Sequence, residues 1–481
     1  MTSRACPTFV FSALCLCVSV VSPSVLGAEP WTTYRGNAQR TGNADGKAGP
    51  AKPDVLWVLK GKDNYIASPV PLGERLFVSG FSGFNLPTVA VLDTAPRAAN
   101  RIVWSKGIPL IKLPTVASPA VSGNRLIFGD GMHQTDGAIL HCLAADGGRS
   151  LWQLSVPGSL VHLEGSPTVV DGKVYVGGGA AGVICVDLDR VTLDGKEMDV
   201  ASVRKILDKK WMELLARYEV EKKKDPEFAV KPTEDQLPKP APVKLWQQGN
   251  KRGTEWHVDA PVAVAGGRVL VCSAFLDKEK VGDRALFSLD ATNGKIQWRT
   301  PLQLNPWGGP SVQGDVVVVG GSNVPYDPGA LKGAKGEVAA FDLATGKEKW
   351  RKTVFGGVLG SVALTKDLAI ATATDGKVRG FDLATGERRF IYDSKTPYFA
   401  PAAVAGGVAY AADLKGVVHA IGLSDGKAKW TLDLGKHAAV QAPGAVYAGP
   451  VVHGGRLYVV TCNLAGEFAG GPTVVVCLGD K

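Results

Sequence analysis

The chain has 481 residues, 45% of them hydrophobic, with 59 glycines and 30 prolines. That much glycine and proline points to many turns rather than many helices. The net charge of +9 is spread in both signs, and acids flank its one lysine run (Lys222-Lys223-Lys224), so no nucleic-acid partner is expected.

Residues 1–28 read as an export signal. Arg4 supplies the positive start, Phe9 to Val21 the apolar core, and Leu26-Gly27-Ala28 a small-residue cleavage site. No later stretch holds about 20 uninterrupted apolar residues, so no transmembrane span is expected. Residues 29–481 are therefore read as an exported, periplasmic or extracellular protein and as a monomer. Cys6, Cys15 and Cys17 leave with the signal, and the odd count of five that remains argues against a full disulfide framework.

After the signal, an aromatic residue recurs near the end of a strand-like segment: Trp57, Trp104, Trp152, Trp246, Trp298, Trp350, Phe390 and Trp430. Each unit opens on a small residue and a proline or its equivalent, as at Ser118-Pro119 or Ala400-Pro401. A short apolar segment and an alternating strand such as Lys173-Val174-Tyr175-Val176 follow. A third strand then ends near an aspartate (Asp290, Asp342, Asp382), and a turn through Gly294, Gly346, Gly386 or Gly426 leads to a fourth strand carrying the aromatic. Four strands per unit, repeated around a ring, predict an all-β, eight-bladed β-propeller of four-stranded antiparallel blades. The last unit ends at Val476-Cys477-Leu478-Gly479 without an aromatic, so the N-terminal strand must lend Trp57 and close the ring.

A large ring at the end of an outer strand needs a small residue facing it. Ten residues before the aromatics stand Cys142, Ser288, Ala340, Gly380 and Ala420, with Cys185 and Cys477 in the same slot of their own units. Buried free thiols are the expected state of these cysteines. A Cys462–Cys477 bridge is the alternative. Trp31 lies outside the repeat register and is expected to tolerate truncation better than Trp57.

The spacing Ala340-x-Asp342-x-x-x-Gly346-x-x-x-Trp350 resembles the tryptophan-docking repeat of the quinoprotein-type (PQQ-like) propellers. That repeat occurs in the quinoprotein dehydrogenases and in the non-catalytic BamB-type propellers of outer-membrane assembly. The resemblance covers roughly 31–481 apart from one insertion, at 190–243 in blade 3. In it Val203, Ile206, Leu207, Trp211, Leu214, Leu215 and Tyr218 recur at helical steps; Asp199 or Ser202 can cap this helix and Pro226 bounds it. Pro232, Pro238, Pro240 and Pro242 then read as an extended tether. The helix is either laid against the ring or a docking arm for a partner.

In a propeller, the connections entering the inner strands and those between second and third strands converge on one face. Reading them out gives Lys112, His162, Glu164, Trp256, His257, Asp259, Asn305, Trp307 and Tyr398 as ligand-binding candidates, with His133, Asn323, Tyr326 and Tyr447 near them. Seven of the eleven tryptophans are docking residues; Trp256 and Trp307 are not. Alternation on a strand would place Glu255, His257 and Asp259 on one side, a weak metal pattern, and no metal is expected. Gly177 to Gly182 fits G-x-G-x-x-G, but a strand follows where a phosphate-binding helix should begin, so it reads as a hairpin loop.

Catalytic residues are not assigned. The quinoprotein enzymes imply a calcium held by Glu and Asn, a catalytic Asp, and a disulfide between adjacent cysteines. Glu164, Asn305 and Asp259 can be cast in the first roles, but no adjacent cysteine pair exists. The expected function is a non-catalytic scaffold for protein partners in the cell envelope, without a cofactor. The alternatives are a quinoprotein oxidoreductase with PQQ and calcium in the funnel, and carbohydrate binding by the same aromatics.

Overall fold

Each sequence repeat closes into one four-stranded antiparallel sheet in the computed structural model, which describes residues 31–42, 46–133 and 135–480. The expected signal, 1–28, lies outside the described residues. Blade 4 shows how the pattern works, with strands Ala263–Ala265, Arg268–Leu276, Val281–Asp290 and Ile296–Pro301. Its inner strand, Ala-Val-Ala, is small and wholly buried, because eight inner strands crowd around one axis. The second and third strands are apolar on both faces, since each is covered by the blade on either side. The outer strand alternates exposed and half-buried positions.

Eight such sheets form the ring, and the closure is made by the N-terminus. The strand Pro53–Gly61 pairs antiparallel with Thr473–Asp480, which sets Trp57 opposite Cys477.

The docking aromatics share a local device. In every blade the outer strand carries one extra residue just before the aromatic: Leu56, Val103, Leu151, Leu245, Gln297, Lys349, Arg389 and Lys429 have no cross-strand partner. This bulge twists the strand and aims the ring at the next blade. There the indole N–H donates to a backbone carbonyl: Trp57 to Thr94 (3.2 Å), Trp104 to Ala145 (3.0 Å), Trp298 to Leu343 (3.1 Å), Trp350 to Leu383 (2.9 Å), and Trp430 to Pro50 (2.8 Å). Trp152 and Trp246 do the same to Leu188 and Ala291, each at 3.3 Å. Beneath the ring stands a small cross-strand partner, such as Ala340 or Gly380, except that Trp104 faces Val91. Above Trp104, Trp246, Trp298, Trp350 and Phe390 lies the turn glycine of the next blade: a Cβ at Gly386 would fall 2.6 Å from Trp350. The five described cysteines are buried and free, Cys462 and Cys477 among them.

The segment 31–50 does more than lead into the closing strand. Its carbonyls accept from the inner strands in turn: Thr32 from Val121, Ala38 from Val264, Gln39 from Val312, Thr41 from Leu364, and Gly42 from Val404. Arg40, wholly buried, covers blades 3 and 4 by donating to the carbonyls of Ser166 (2.8 Å), Pro167 (3.2 Å) and Val262 (3.1 Å). Burial holds its pKa down to about 9. The segment thus runs across one mouth of the axial channel. Trp31, expected to tolerate truncation better than Trp57, is 1% exposed and belongs to the same core cluster as Trp57.

The insertion in blade 3 is built onto the ring. The third strand runs on to Leu193 and forms a hairpin with Lys196–Asp199. Asp199 then caps α1 (Val200–Lys224) by accepting from the Ser202 N–H at 2.8 Å. The first turns of α1 bury Val200, Val203 and Leu207 against blades 2 and 3, and the Arg149 guanidinium sits over the Trp211 ring. The returning chain is fastened too: Glu234 pairs with Lys106 at 2.8 Å, and the Pro240 carbonyl accepts from the Gln153 N–H. Pro242, expected in an extended tether, lies inside the outer strand Ala241–Gln248, because that strand pairs with the prolonged third strand. Beyond Leu207 the arm leaves Met212, Val220, Phe228 and Val230 exposed. No helix among the described residues is long and apolar enough to cross a membrane.

Candidate functional site

The loops at the starts of the inner strands surround a funnel of about 740 Å³. Ser68, Ser118, Ser166, Pro261, Pro401 and Gly449 ring its depth, and Tyr34 of the axial segment enters its lining from below. The far mouth is therefore covered by the chain's own N-terminal segment, which makes the funnel blind. No repeat-based reading could place Tyr34 there, because it precedes the first repeat.

One wall is apolar. Trp307 packs with Leu359, Phe399 and Tyr447, and Tyr326 donates to the Leu359 carbonyl at 2.7 Å with its ring edge-on to Phe399. The opposite wall carries a cluster of imidazoles. His162 comes from the loop entering blade 3, His257 and Asp259 from the loop entering blade 4, and His133 from the loop between the second and third strands of blade 2. The Asp259 carboxylate lies between two rings, with its Oδ1 2.6 Å from Nε2 of His162 and its Oδ2 2.8 Å from Nε2 of His257. The three rings stand 5.2 to 5.7 Å apart, centre to centre.

Backbone pairing fastens the cluster to the wall. Val258 exchanges two hydrogen bonds with Gly179 of the Gly177–Gly182 loop, and His257 is bridged to Ala274. A Cβ on Gly179 would come 3.0 Å from the His162 ring, so the glycine lets the loop close over it. That loop is a hairpin with no helix behind it, as expected, and its use is packing. Glu164 accepts from the backbone N–H of His133 and holds that residue to the wall.

The charges interlock. Burial pushes the Glu164 carboxyl up, and the Asp259 charge adds to this, to about 7. Burial works the same way on Asp259, but the His257 and His162 imidazoles outweigh it and hold that carboxyl below the usual range. His162 is raised because Asp259 overcomes the burial penalty, whereas burial keeps His133 low.

Of the residues read from the sequence, the fold brings together His162, Glu164, His257 and Asp259, with His133 from the wider set. Asn305 and Trp307 also line the funnel. Three do not join them. Lys112 is exposed and away from the funnel lining. Trp256 is 6% exposed and stacked on Phe287 at 3.9 Å, inside the wall rather than on it. Tyr398 is buried edge-on against His419. Glu255 does not join the imidazole cluster.

The sequence profile described as "Outer membrane protein assembly factor BamB" matches residues 51–207, 243–324 and 305–468. The chain belongs to the BamB family. Among solved structures, BamB from Moraxella catarrhalis is similar with a TM-score of 0.54 and 16% identity, covering 88% of this chain and 97% of that one. A quinohemoprotein alcohol dehydrogenase from Pseudomonas putida is similar with a TM-score of 0.62 and 12% identity, covering 94% and 80%. A europium-containing methanol dehydrogenase follows with 0.58, 13%, 94% and 98%. At these identities the likeness is one of fold. No curated protein sequence matches the chain.

The donor set of this BamB-family funnel does not fit the calcium and quinone that the quinoprotein resemblance implies. Calcium takes six to eight oxygens. Here the Asn305 amide is spent on its own wall: it accepts from the Phe275 N–H (3.0 Å) and Arg284 Nε (2.9 Å) and donates to the Phe275 carbonyl (3.0 Å). Asp259 is held by two imidazoles and Glu164 by the His133 backbone. With Trp256 buried, the indole pair cast as a stacking platform is reduced to Trp307.

Proposed function

We propose that this chain is a non-catalytic binding propeller of the cell envelope, which receives a segment of a partner protein in its blind funnel. One observation carries the reading. The funnel is floored by the axial segment, and the polar groups that resemble enzyme ligands are engaged in building its walls. Apolar surface from Trp307, Tyr326 and Leu464 is left for contact, as suits a projecting loop or chain end. Membership of a family described as an outer membrane assembly factor supports an exported location and a protein partner.

Photo-reactive benzoylphenylalanine at Leu464 is expected to join the chain to a discrete envelope protein on irradiation. Trp307→Ala is expected to weaken that capture by about tenfold or more, the effect of losing a central aromatic contact. In parallel, purified protein is mixed with pyrroloquinoline quinone and calcium and passed through gel filtration. Quinone retained through the column together with dye reduction by alcohols or sugars would overturn the scaffold reading in favour of the oxidoreductase.

A further inference from the structure

Three of the chain's seven histidines converge on one carboxylate, and hydrogen bonding alone does not account for the arrangement. Elsewhere the fold shows what an ordinary buried histidine looks like. His141 meets Asp130 at 2.9 Å and His419 meets Asp413 at 3.1 Å, one imidazole to one carboxylate, each aspartate also accepting backbone N–H groups beside it. In the funnel wall the ratio is reversed. His162 and His257 are both fully buried and share Asp259. The Nε2 of His257 lies 2.8 Å from Oδ2, yet neither nitrogen of this ring has a hydrogen-bond partner among the described residues. A buried polar group left in that state is unfavourable. The exposed His133 completes the cluster from a different blade.

We infer that His133, His162, His257 and Asp259 form a binding site for a zinc-class divalent transition ion on the wall of the funnel. One ligand atom from each lies within 4.8 Å of the others. A tetrahedral zinc with bonds of about 2.0–2.1 Å sets its ligands roughly 3.4 Å apart, so the group needs only small side-chain adjustments. Three imidazoles and one carboxylate match zinc and its neighbours and are the wrong set for calcium or magnesium. The surroundings are those of a prepared site. His257 and Asp259 sit on backbone locked to Gly179 and Ala274, and Glu164 fixes the His133 backbone. The ligands come from blades 2, 3 and 4, so the ion ties three loops together at the funnel's edge.

The test uses the full mature chain, stripped with chelator and desalted. Zinc titration is expected to show one equivalent bound and retained on desalting in the presence of excess calcium, and cobalt(II) to give the visible bands of a four-coordinate site. His133→Ala removes an exposed loop ligand and leaves the metal-free fold and melting point unchanged. It is expected to weaken zinc at least about 100-fold, beyond the roughly 10–100-fold seen when only a group supporting a ligand is lost. Asp259→Asn is expected to abolish the cobalt bands. A folded wild-type chain that binds no zinc, or zinc bound equally well by His133→Ala, overturns the inference. Either result leaves the partner-binding reading standing, since that rests on the opposite wall.

Discussion

The docking position works best where the aromatic is held between two small groups, one in its own blade and one in the next, as Trp246, Trp298, Trp350 and Phe390 are. Phe390 tests this. It lies over Gly380, against Gly426 of the following blade, and has no N–H to offer the Leu423 carbonyl that corresponds to Leu383 under Trp350. Phe390→Trp is therefore expected to stabilise the chain by about 0.5–1.5 kcal/mol, the worth of one added hydrogen bond, read as a raised denaturation midpoint at unchanged slope. The turn glycines give the converse. Gly386 (φ +71) and Gly314 (φ +59) both have left-handed backbone, but only Gly386 would drive a Cβ into a tryptophan. Alanine at Gly314 is expected to cost about 1 kcal/mol of backbone strain, and alanine at Gly386 clearly more. Equal losses would mean that the stacked indole can give way.

At the level of elements, the insertion and the N-terminal segment make opposite demands. The insertion is added to a blade that is complete without it: Thr192 and Ala241 are cross-strand partners, so an Asn-Gly turn can join the strands directly. Replacing 194–239 by that turn is expected to leave the ring folded and to lower its melting temperature modestly, since α1 buries only Val200, Val203 and Leu207. Unchanged partner capture by that variant would show that the exposed arm is not the contact. The N-terminal segment is not separable in this way. Trp31→Ala is expected to cost about 3–5 kcal/mol, as much as Trp57→Ala, because both rings are buried in one cluster. A much smaller loss at Trp31 would show that the segment is only loosely laid on the ring.

The whole molecule is a ring held shut twice, at its rim and at its axis. At the rim, Pro53–Gly61 completes blade 8 and Trp430 docks on the carbonyl of Pro50. At the axis, residues 32–42 are hydrogen-bonded to the inner strands of blades 2 through 7. Arg40 is the centre of that second closure, and its loss strands buried carbonyls in blades 3 and 4. Arg40→Met is expected to destabilise the chain by more than about 3 kcal/mol while the rim pairing survives, visible as slow amide exchange retained in Thr473–Asp480. Collapse of protection in that strand would make the two closures one cooperative unit.

The repeat by itself determined the blade count, the four-strand pattern, the N-terminal closure through Trp57 and the helical arm. All of these depend on periodic small, apolar and aromatic positions that are local in the chain. It also pointed to the mouth of the funnel, because the loops that reach it follow from strand order. The bulge before each aromatic was hidden, since one unpaired residue leaves no compositional trace. So was the axial role of Trp31, Tyr34 and Arg40, whose partners lie in several different blades and share no spacing with them. The same holds for the candidate site. His257 and Asp259 are neighbours in sequence, but His133 and His162 join them only when blades 2, 3 and 4 are set side by side, and Trp256 leaves the funnel because Phe287 offers it a buried face. Side-chain direction at a blade junction is decided by packing between strands far apart in the chain, and only the tertiary structure holds that information.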